Sequence, residues 1–291
     1  MEIRELKYFL AVAKEESISK AAEALFITQP NLSRQMQNLE NEIGQQLFIR
    51  GSRKITLTEA GRLLYKRAEE ILDLYTKTEK ELNAPITEIS GDIYIGSGES
   101  YVMGLIAKAI CSVQKEYPNI KFHLFSGDMV AVADKLDKGL IDFGIFIEPA
   151  ELSKYEYLRL PLTDTWGVLM RKDSPLAKKD FITPEDLWNL PLIRSKHSLG
   201  KSSISDWFRK SSDELNIVAT YTLLYNASLL VKEGLGYAVC LDKIITTTDS
   251  SLCFKPLYPK LESHLDFAWK KYQVFPKCAE IFLNHLKALL E

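Results

Sequence analysis

Cysteine is scarce in this chain and poorly placed for chemistry. The four cysteines, Cys111, Cys240, Cys253 and Cys278, form no C-x-x-C pair and have no histidine at zinc-ligand spacing. That excludes a zinc ribbon, a thioredoxin-like motif and a disulfide-dense scaffold, and leaves buried or idle thiols. No run of about 18 apolar residues exists for a transmembrane helix. Glu2, Arg4, Glu5 and Lys7 interrupt the first apolar residues, so no signal peptide and no membrane partner are expected, and the expected compartment is the cytoplasm. The sequence also lacks G-x-S-x-G, H-E-x-x-H, a P-loop and a Gly-rich dinucleotide fingerprint, and Gly96-Ser-Gly98 alone is a weak match. An enzyme, a metal site and a cofactor are therefore not expected. Nor does one sign of charge dominate, since 37 basic and 39 acidic residues leave a net charge of -2. A chain that is basic throughout is excluded, but a local basic patch is not.

What is present is enough for more than one core. A length of 291 residues, 46% of them hydrophobic, predicts two or three globular units. The first segment carries helix signals and no strand before residue 47. Ile3, Leu6, Phe9, Leu10 and Ala13 mark one apolar face of a helix running to about Glu15. Ser19 is placed to cap a second, shorter helix with Ala21, Ala22 and Leu25, and Thr28 to cap a third with Pro30 in its first turn. Three such helices with a tight second turn form a helix-turn-helix.

On the third helix, Leu32, Met36, Leu39 and Ile43 fall in one stripe at about 100° per residue. Pro30, Arg34 and Gln37 point away from that stripe, with Ser33 on its shoulder. Gly44 ends the helix, and residues 47–50 and 55–57 read as two short strands around a basic tip, a wing. From Thr58 to about Ala84 a single helix carries Leu64, Ala68, Ile71, Tyr75, Thr78 and Leu82 at alternating steps of four and three. Such a heptad seam predicts dimerisation, or else packing of the helix on its own domain.

After Pro85 the period changes. Strands near 92–96, 121–125 and 142–146 alternate with helices near 101–116 and 129–138, which is βαβαβ and so a parallel sheet. A second alternating set follows, with strands near 164–170, 192–194, 217–222 and 237–241 and helices near 203–211 and 226–233. A strand at 264–270 and a helix at 276–290 close the chain. Two α/β lobes are expected, and periodicity does not assign the last strand to either.

The ordered stretch Phe9-Leu-Ala-Val-Ala13, Ser19-Lys-Ala-Ala-Glu23, Thr28-Gln-Pro-Asn-Leu-Ser-Arg-Gln35, Leu39-Glu40, Gly44, Leu47-Phe48, Arg50 and Leu57-Thr-Glu-Ala-Gly61 strongly resembles the DNA-binding region of the LysR-type transcriptional regulators. Weaker similarity continues at Asp173-Ser-Pro-Leu-Ala177 and Leu230-Val-Lys-Glu-Gly-Leu-Gly236. The resemblance implies a winged helix-turn-helix, mainly α, joined by a long linker helix to a two-lobed α/β effector domain like the periplasmic binding proteins. On that layout the expected divisions are 1–58 for the DNA-binding domain and 59–88 for the linker and dimerisation helix. Residues 89–162 with 266–291 would form lobe 1, and 163–265 lobe 2. It also implies double-stranded operator DNA and a small-molecule effector as partners, with a homodimer or homotetramer that works with RNA polymerase.

The residues themselves suggest where those partners bind. Gln29, Asn31, Ser33, Arg34 and Gln37 offer donors to base edges, and Pro30 offers a contact to a thymine methyl. Arg50, Arg53 and Lys54 suit phosphates or the minor groove, although Arg50 is equally placed to pair with Glu40 or Glu42. Ligands of open parallel sheets sit beyond the carboxyl ends of the strands. That places Ser97, Glu99, Ser100, Ser126, His197 and Asn226 at a cleft between lobes, with Ser100 and Asn226 also readable as ordinary helix caps. Glu99 and Asp128 count against a simple anionic effector unless Lys196 or His197 compensates, and leave an amphoteric or cationic one open. A thiol-sensing regulator is the nearest alternative, and a solute-binding protein without DNA-binding activity a more distant one. Between Thr28 and Arg67 the basic residues Arg34, Arg50, Arg53, Lys54, Arg62, Lys66 and Arg67 outnumber Glu40, Glu42 and Glu59, so a near-neutral total conceals a basic end and an acidic remainder.

Overall fold

A computed structural model describes residues 1–51, 54–83, 89–199 and 203–290, without the side chains of His197 and Leu199. Two compact units result, Met1–Asn83 and Ala84–Glu291. In the first, α1 (Ile3–Glu15), α2 (Ile18–Ala24) and α3 (Gln29–Ile43) precede a hairpin of β1 (Phe48–Arg50) and β2 (Ile55–Leu57), and α4 spans Glu59–Leu82. The apolar stripes seen in the sequence meet in one core, where Leu6, Phe9, Val12, Leu32, Met36 and Leu39 are buried with Ala68 of α4.

Local chemistry explains most of the boundaries. Ser17, rather than Ser19, caps α2, its hydroxyl accepting the Lys20 N–H at 3.4 Å. Thr28 has the extended backbone of a cap, but its side chain makes no capping bond, and Pro30 in the first turn removes one of the donors that would need it. Gly44 closes α3 in the left-handed region at φ +74°. Thr58 ties α4 to the hairpin by donating to the Gln46 carbonyl at 2.7 Å and accepting the Gly61 N–H at 2.9 Å. Gly61 itself is required by proximity, since a Cβ there would stand 2.1 Å from the Leu47 carbonyl oxygen.

The second unit is built on one continuous mixed sheet. In chain order its elements are β3 (Gly91–Ser97), α5 (Met103–Glu116), β4 (Ile120–Ser126), α6 (Met129–Asp137), β5 (Phe143–Ile147) and β6 (Tyr155–Arg171). Then come α7 (Pro184–Leu187), β7 (Leu192–Ser195), α8 (Ser203–Phe208), β8 (Ile217–Tyr221), α9 (Leu224–Lys232) and β9 (Tyr237–Leu241). β10 (Leu252–Pro256), β11 (Glu262–Lys270) and α10 (Lys277–Leu290) complete the chain. The strand order is β4-β3-β5-β11-β6-β9-β7-β8, with β10 also on β6. β3 is parallel to β4 and β5, and β7 is parallel to β8 and β9, so each lobe keeps its own parallel set.

The link between the lobes is β6. The sequence pattern marked only residues near 164–170, whereas the strand runs for 17 residues and pairs with β11 from Tyr155 as far as Thr165 and with β9 and β10 from Trp166 to Arg171. Pro161 lies in its middle, and the β6–β11 register shifts between His264 and Asp266 at that level, as expected where a residue without an N–H interrupts a ladder. β11 also pairs with β5, which assigns the last strand to the first lobe. That lobe's core is aromatic, with Phe143 4.8 Å from Phe267 and 5.7 Å from Phe282 of α10. The second lobe buries Val168, Met170, Trp207, Phe208 and Val239 on one side of its sheet and Leu169, Ile193, Val231 and Ala238 on the other.

Candidate functional sites

On α3 the buried stripe of Leu32, Met36 and Leu39 leaves an opposite face of polar side chains. Gln29, Pro30, Arg34 and Gln37 are exposed, and Asn31 and Ser33 are half-buried beside them. Arg34 and Arg50 make no hydrogen bond or ion pair with any described residue. The alternative in which Arg50 pairs with an acid of α3 is not what the structure shows. Glu40 instead accepts the Leu47 and Phe48 N–H groups at 2.7 and 3.2 Å, and Glu42 is engaged by the Met1 amino group. Arg50 ends β1 and Lys54 precedes β2, the turn closed by the Gly51 N–H donating to the Lys54 carbonyl at 3.0 Å. Lys54 lies 3.3 Å from Glu16, a partner that sequence spacing did not reveal because the two are 38 residues apart. Arg53 lies outside the described residues. One exposed residue was not anticipated: Phe26, 96% exposed at φ +55° in the turn before α3.

In the second unit a cleft of about 200 Å³ opens between the two lobes. The first lobe contributes Glu99, Asp128, Met129, Ile147 and Glu148, and the second contributes Ser195, Ser198, Ile204, Tyr221, Thr222, Leu224 and Leu241. Trp166 of β6 and Ser263 of β11 lie between them, the indole N–H donating to the serine hydroxyl at 2.9 Å. Of the six residues expected at the effector site, Glu99 lines this cleft. Ser97, Ser100 and Ser126 gather instead, with Glu99, in an adjoining shallower groove of about 430 Å³ that also contains Tyr101 and Lys243.

Their hydroxyls are partly committed. Ser97 donates to the Gly98 carbonyl at 2.7 Å, and Ser100 accepts the Val102 N–H at 2.9 Å in the turn before α5, whose N-cap position is Val102, so Ser100 does not take the capping role weighed for it. Asn226 is exposed and lines neither depression; α9 starts at Leu224 with Leu223 at the cap, so Asn226 is its third residue and not its cap. His197 belongs to a short 3-10 turn, Lys196–Leu199, and its side chain lies outside the described residues.

Two buried charges support the cleft walls. Arg194 is fully buried yet pairs with no carboxylate among the described residues. It donates to the Ser198 carbonyl, reaches Ser205 at 3.4 Å, and lies over the Phe208 ring at 4.9 Å. Burial lowers its pKa to about 10. Asp164, beside the cleft on β6, has its carboxyl pushed up by burial, against hydrogen bonds from Ser100 and from the Tyr101 and Val102 N–H groups. Trp166, Tyr221 and Ser263 had no local signal in the sequence, since they reach the cleft only through the pairing of distant strands.

A winged helix-turn-helix with an unpartnered polar face, accompanied by a two-lobed α/β unit with a cleft, defines a DNA-binding regulator with a ligand-binding module. Comparison with known proteins agrees over the whole chain. Residues 3–62 match the bacterial regulatory helix-turn-helix protein family of the lysR type, and residues 87–291 match the LysR substrate binding domain. The chain therefore belongs to the LysR family of transcriptional regulators. It is 29% identical to the Hca operon transcriptional activator HcaR of Escherichia coli over 95% of this chain and 94% of that protein. It is 30% identical to the HTH-type transcriptional regulator YvbU of Bacillus subtilis over 82% and 81% of the two chains. In fold it is similar to full-length CbnR complexed with its target DNA, at a TM-score of 0.78 and 20% identity over 99% of this chain and 100% of that one.

Proposed function

We propose that α3 enters the major groove of operator DNA and reads base edges with Gln29, Asn31, Ser33, Arg34 and Gln37, with Pro30 against a base methyl. Arg50, Arg53 and Lys54 of the wing hold the phosphate backbone, and the cleft of the second unit binds the small-molecule effector that modulates operator binding or activation. The carrying observation is the polar, exposed face of α3 set directly opposite its buried stripe. A surface helix needs such a face only for water or for a polyanion, and unpaired Arg34 at its centre favours the polyanion.

On this reading the chain divides into a reader at 1–58, a dimerising helix at 59–88, and lobes at 89–162 with 266–291 and at 163–265. It acts as a homodimer or a pair of dimers in the cytoplasm, contacts RNA polymerase at its promoters, and catalyses no reaction. The thiol-sensing alternative has little chemical support at Cys240 and Cys253, whose thiols burial pushes up, away from the reactive thiolate. Arg34→Ala tests the reader. Affinity for the DNA upstream of its own coding region, measured by fluorescence anisotropy, is expected to fall by about tenfold or more, the scale of one lost bidentate base contact. The dimer should be unchanged in size-exclusion chromatography. Unaltered affinity would remove Arg34 from the reading face.

A further inference from the structure

The loop from Gly98 to Val102, between β3 and α5, is gripped by the second lobe and by the strand the two lobes share. Asp164 on β6 takes hydrogen bonds from Ser100 and from the Tyr101 and Val102 N–H groups. Lys243, just after β9, lies over the Tyr101 ring at 4.7 Å. Glu99 reaches across the cleft, where its carboxylate accepts the N–H of Leu224, the first residue of α9.

These grips differ in what they join. β6 belongs to both lobes, so the Asp164 bonds anchor the loop to the shared strand and do not span the cleft. The contact of Lys243 with Tyr101 is between exposed side chains, and a flexible four-carbon stem follows a moving partner. The Glu99 bond alone of these joins a loop of the first lobe to a helix of the second across the cleft. It also meets a need of that helix. The first N–H groups of a helix have no partner within it, and Leu223, at the cap position of α9, makes no side-chain capping bond. A half-buried carboxylate from the opposite lobe supplies the acceptor that a leucine lacks, and a hydrogen bond to a charged acceptor is about twice as strong as a neutral one.

Glu99 stands where two depressions meet. With Gly98 and Ile244 it lines both the cleft of about 200 Å³ and the adjoining groove of about 430 Å³. The cleft alone falls below the roughly 300 to 1,000 Å³ of ordinary small-molecule sites, and the two spaces together fall within that range.

We propose that Glu99 is a latch. Its bond to α9 holds the two lobes together and closes the cleft off from the groove; its release lets the lobes part and merges the two spaces. That the merged space admits the effector rests on the cleft being the effector site, whereas the latch itself does not.

The test uses the full-length protein without ligand. Glu99→Ala removes the carboxylate, Glu99→Asp keeps the charge but is one methylene too short, and Glu99→Gln keeps the reach with a neutral acceptor. Nitroxides at Asp134→Cys on α6 and Lys232→Cys on α9, in a Cys111→Ser and Cys253→Ser background diluted with unlabelled protein, report the distance between lobes by double electron–electron resonance. With Glu99 intact one distance is expected. The Ala and Asp variants should add a longer population, and the Gln variant a smaller fraction of it. Hydrogen exchange at the start of α9 should quicken by about tenfold in the Ala and Asp variants, the scale of one lost hydrogen bond to a charged group, while β9 keeps its protection. Distances unchanged in both of these variants would overturn the latch even if exchange rises, because loss of a helix cap alone accounts for faster exchange. Operator affinity of the same proteins, read by anisotropy, tests the sensor reading separately. A longer population with unmoved operator affinity leaves the latch standing and removes the cleft from control of DNA binding.

Discussion

Asp164 shows how much one side chain can record about its surroundings. Its carboxyl is pushed up first by burial and further by Asp242, against the hydrogen bonds it accepts from Ser100, Tyr101 and Val102 just before α5. A carboxyl that holds its proton more tightly in the folded chain than in the unfolded one costs stability once ionised. The cost is full above the folded pKa and disappears as the pH falls through it toward the ordinary aspartate range. Asp164→Asn is therefore expected to raise the urea midpoint at neutral pH, with the gain over wild type shrinking as the pH is lowered toward about 4. A gain that persists at low pH would show that the charge is not the cause.

The sequence exposed residues of this kind unevenly. Glu99 was legible because it follows a strand in a small-residue loop, while Trp166 and Ser263 share a hydrogen bond across 97 positions of chain and carry no short-range mark. Ser97, Ser100 and Ser126 were legible as loop serines, but their bonding to neighbouring backbone and their place in the shallower groove depend on packing.

Among the elements, α4 carries two different messages along one helix. Leu64, Tyr65, Ala68 and Leu72 pack in the core of the winged unit, whereas Leu63, Ile71, Leu74 and Leu82 are exposed, Leu82 by 81%. The heptad seam read from the sequence is thus partly consumed by the helix's own domain at Leu64 and Ala68, while its members Ile71 and Leu82 stay exposed with Leu63 and Leu74 beside them. An apolar row of this kind on a surface helix suits a partner surface, and under the proposed function that partner is a second copy of α4. Leu63→Glu with Leu74→Glu is expected to shift the protein from dimer to monomer in analytical ultracentrifugation while its helical circular dichroism is retained. A dimer that survives the double change would have to be held elsewhere.

Element by element, regular periodicity was the legible part. The helices of the first unit and the strands at Gly91–Ser97 and Tyr237–Leu241 lie where the apolar spacing put them. The first half of β6 did not show, because Pro161 and the exposed Tyr157 and Leu162 break its alternation. β10 escaped notice because five residues ending in proline make a weak strand signal.

Over the whole molecule, the near-neutral total conceals a concentration of basic residues between Thr28 and Arg67. Phosphate contacts release condensed counterions, so the logarithm of operator affinity should fall linearly with the logarithm of salt concentration. Arg50→Ala is expected to lower that slope by about one, uniformly across DNA sequences, as the loss of a single phosphate contact requires. Arg34→Ala should instead penalise the operator more than random DNA. The two variants separate holding from reading, and equal effects on both kinds of DNA would collapse that distinction.

β6 gives the sensor its mechanical character. A loop between two lobes lets them drift, but a hydrogen-bonded ribbon common to both acts as a leaf spring, in which displacement at one end meets a restoring torque at the other. Pro161 thins the spring where the ladder changes register, so a load that bent the ribbon would bend it there first and would change the spacing of the cleft walls on either side.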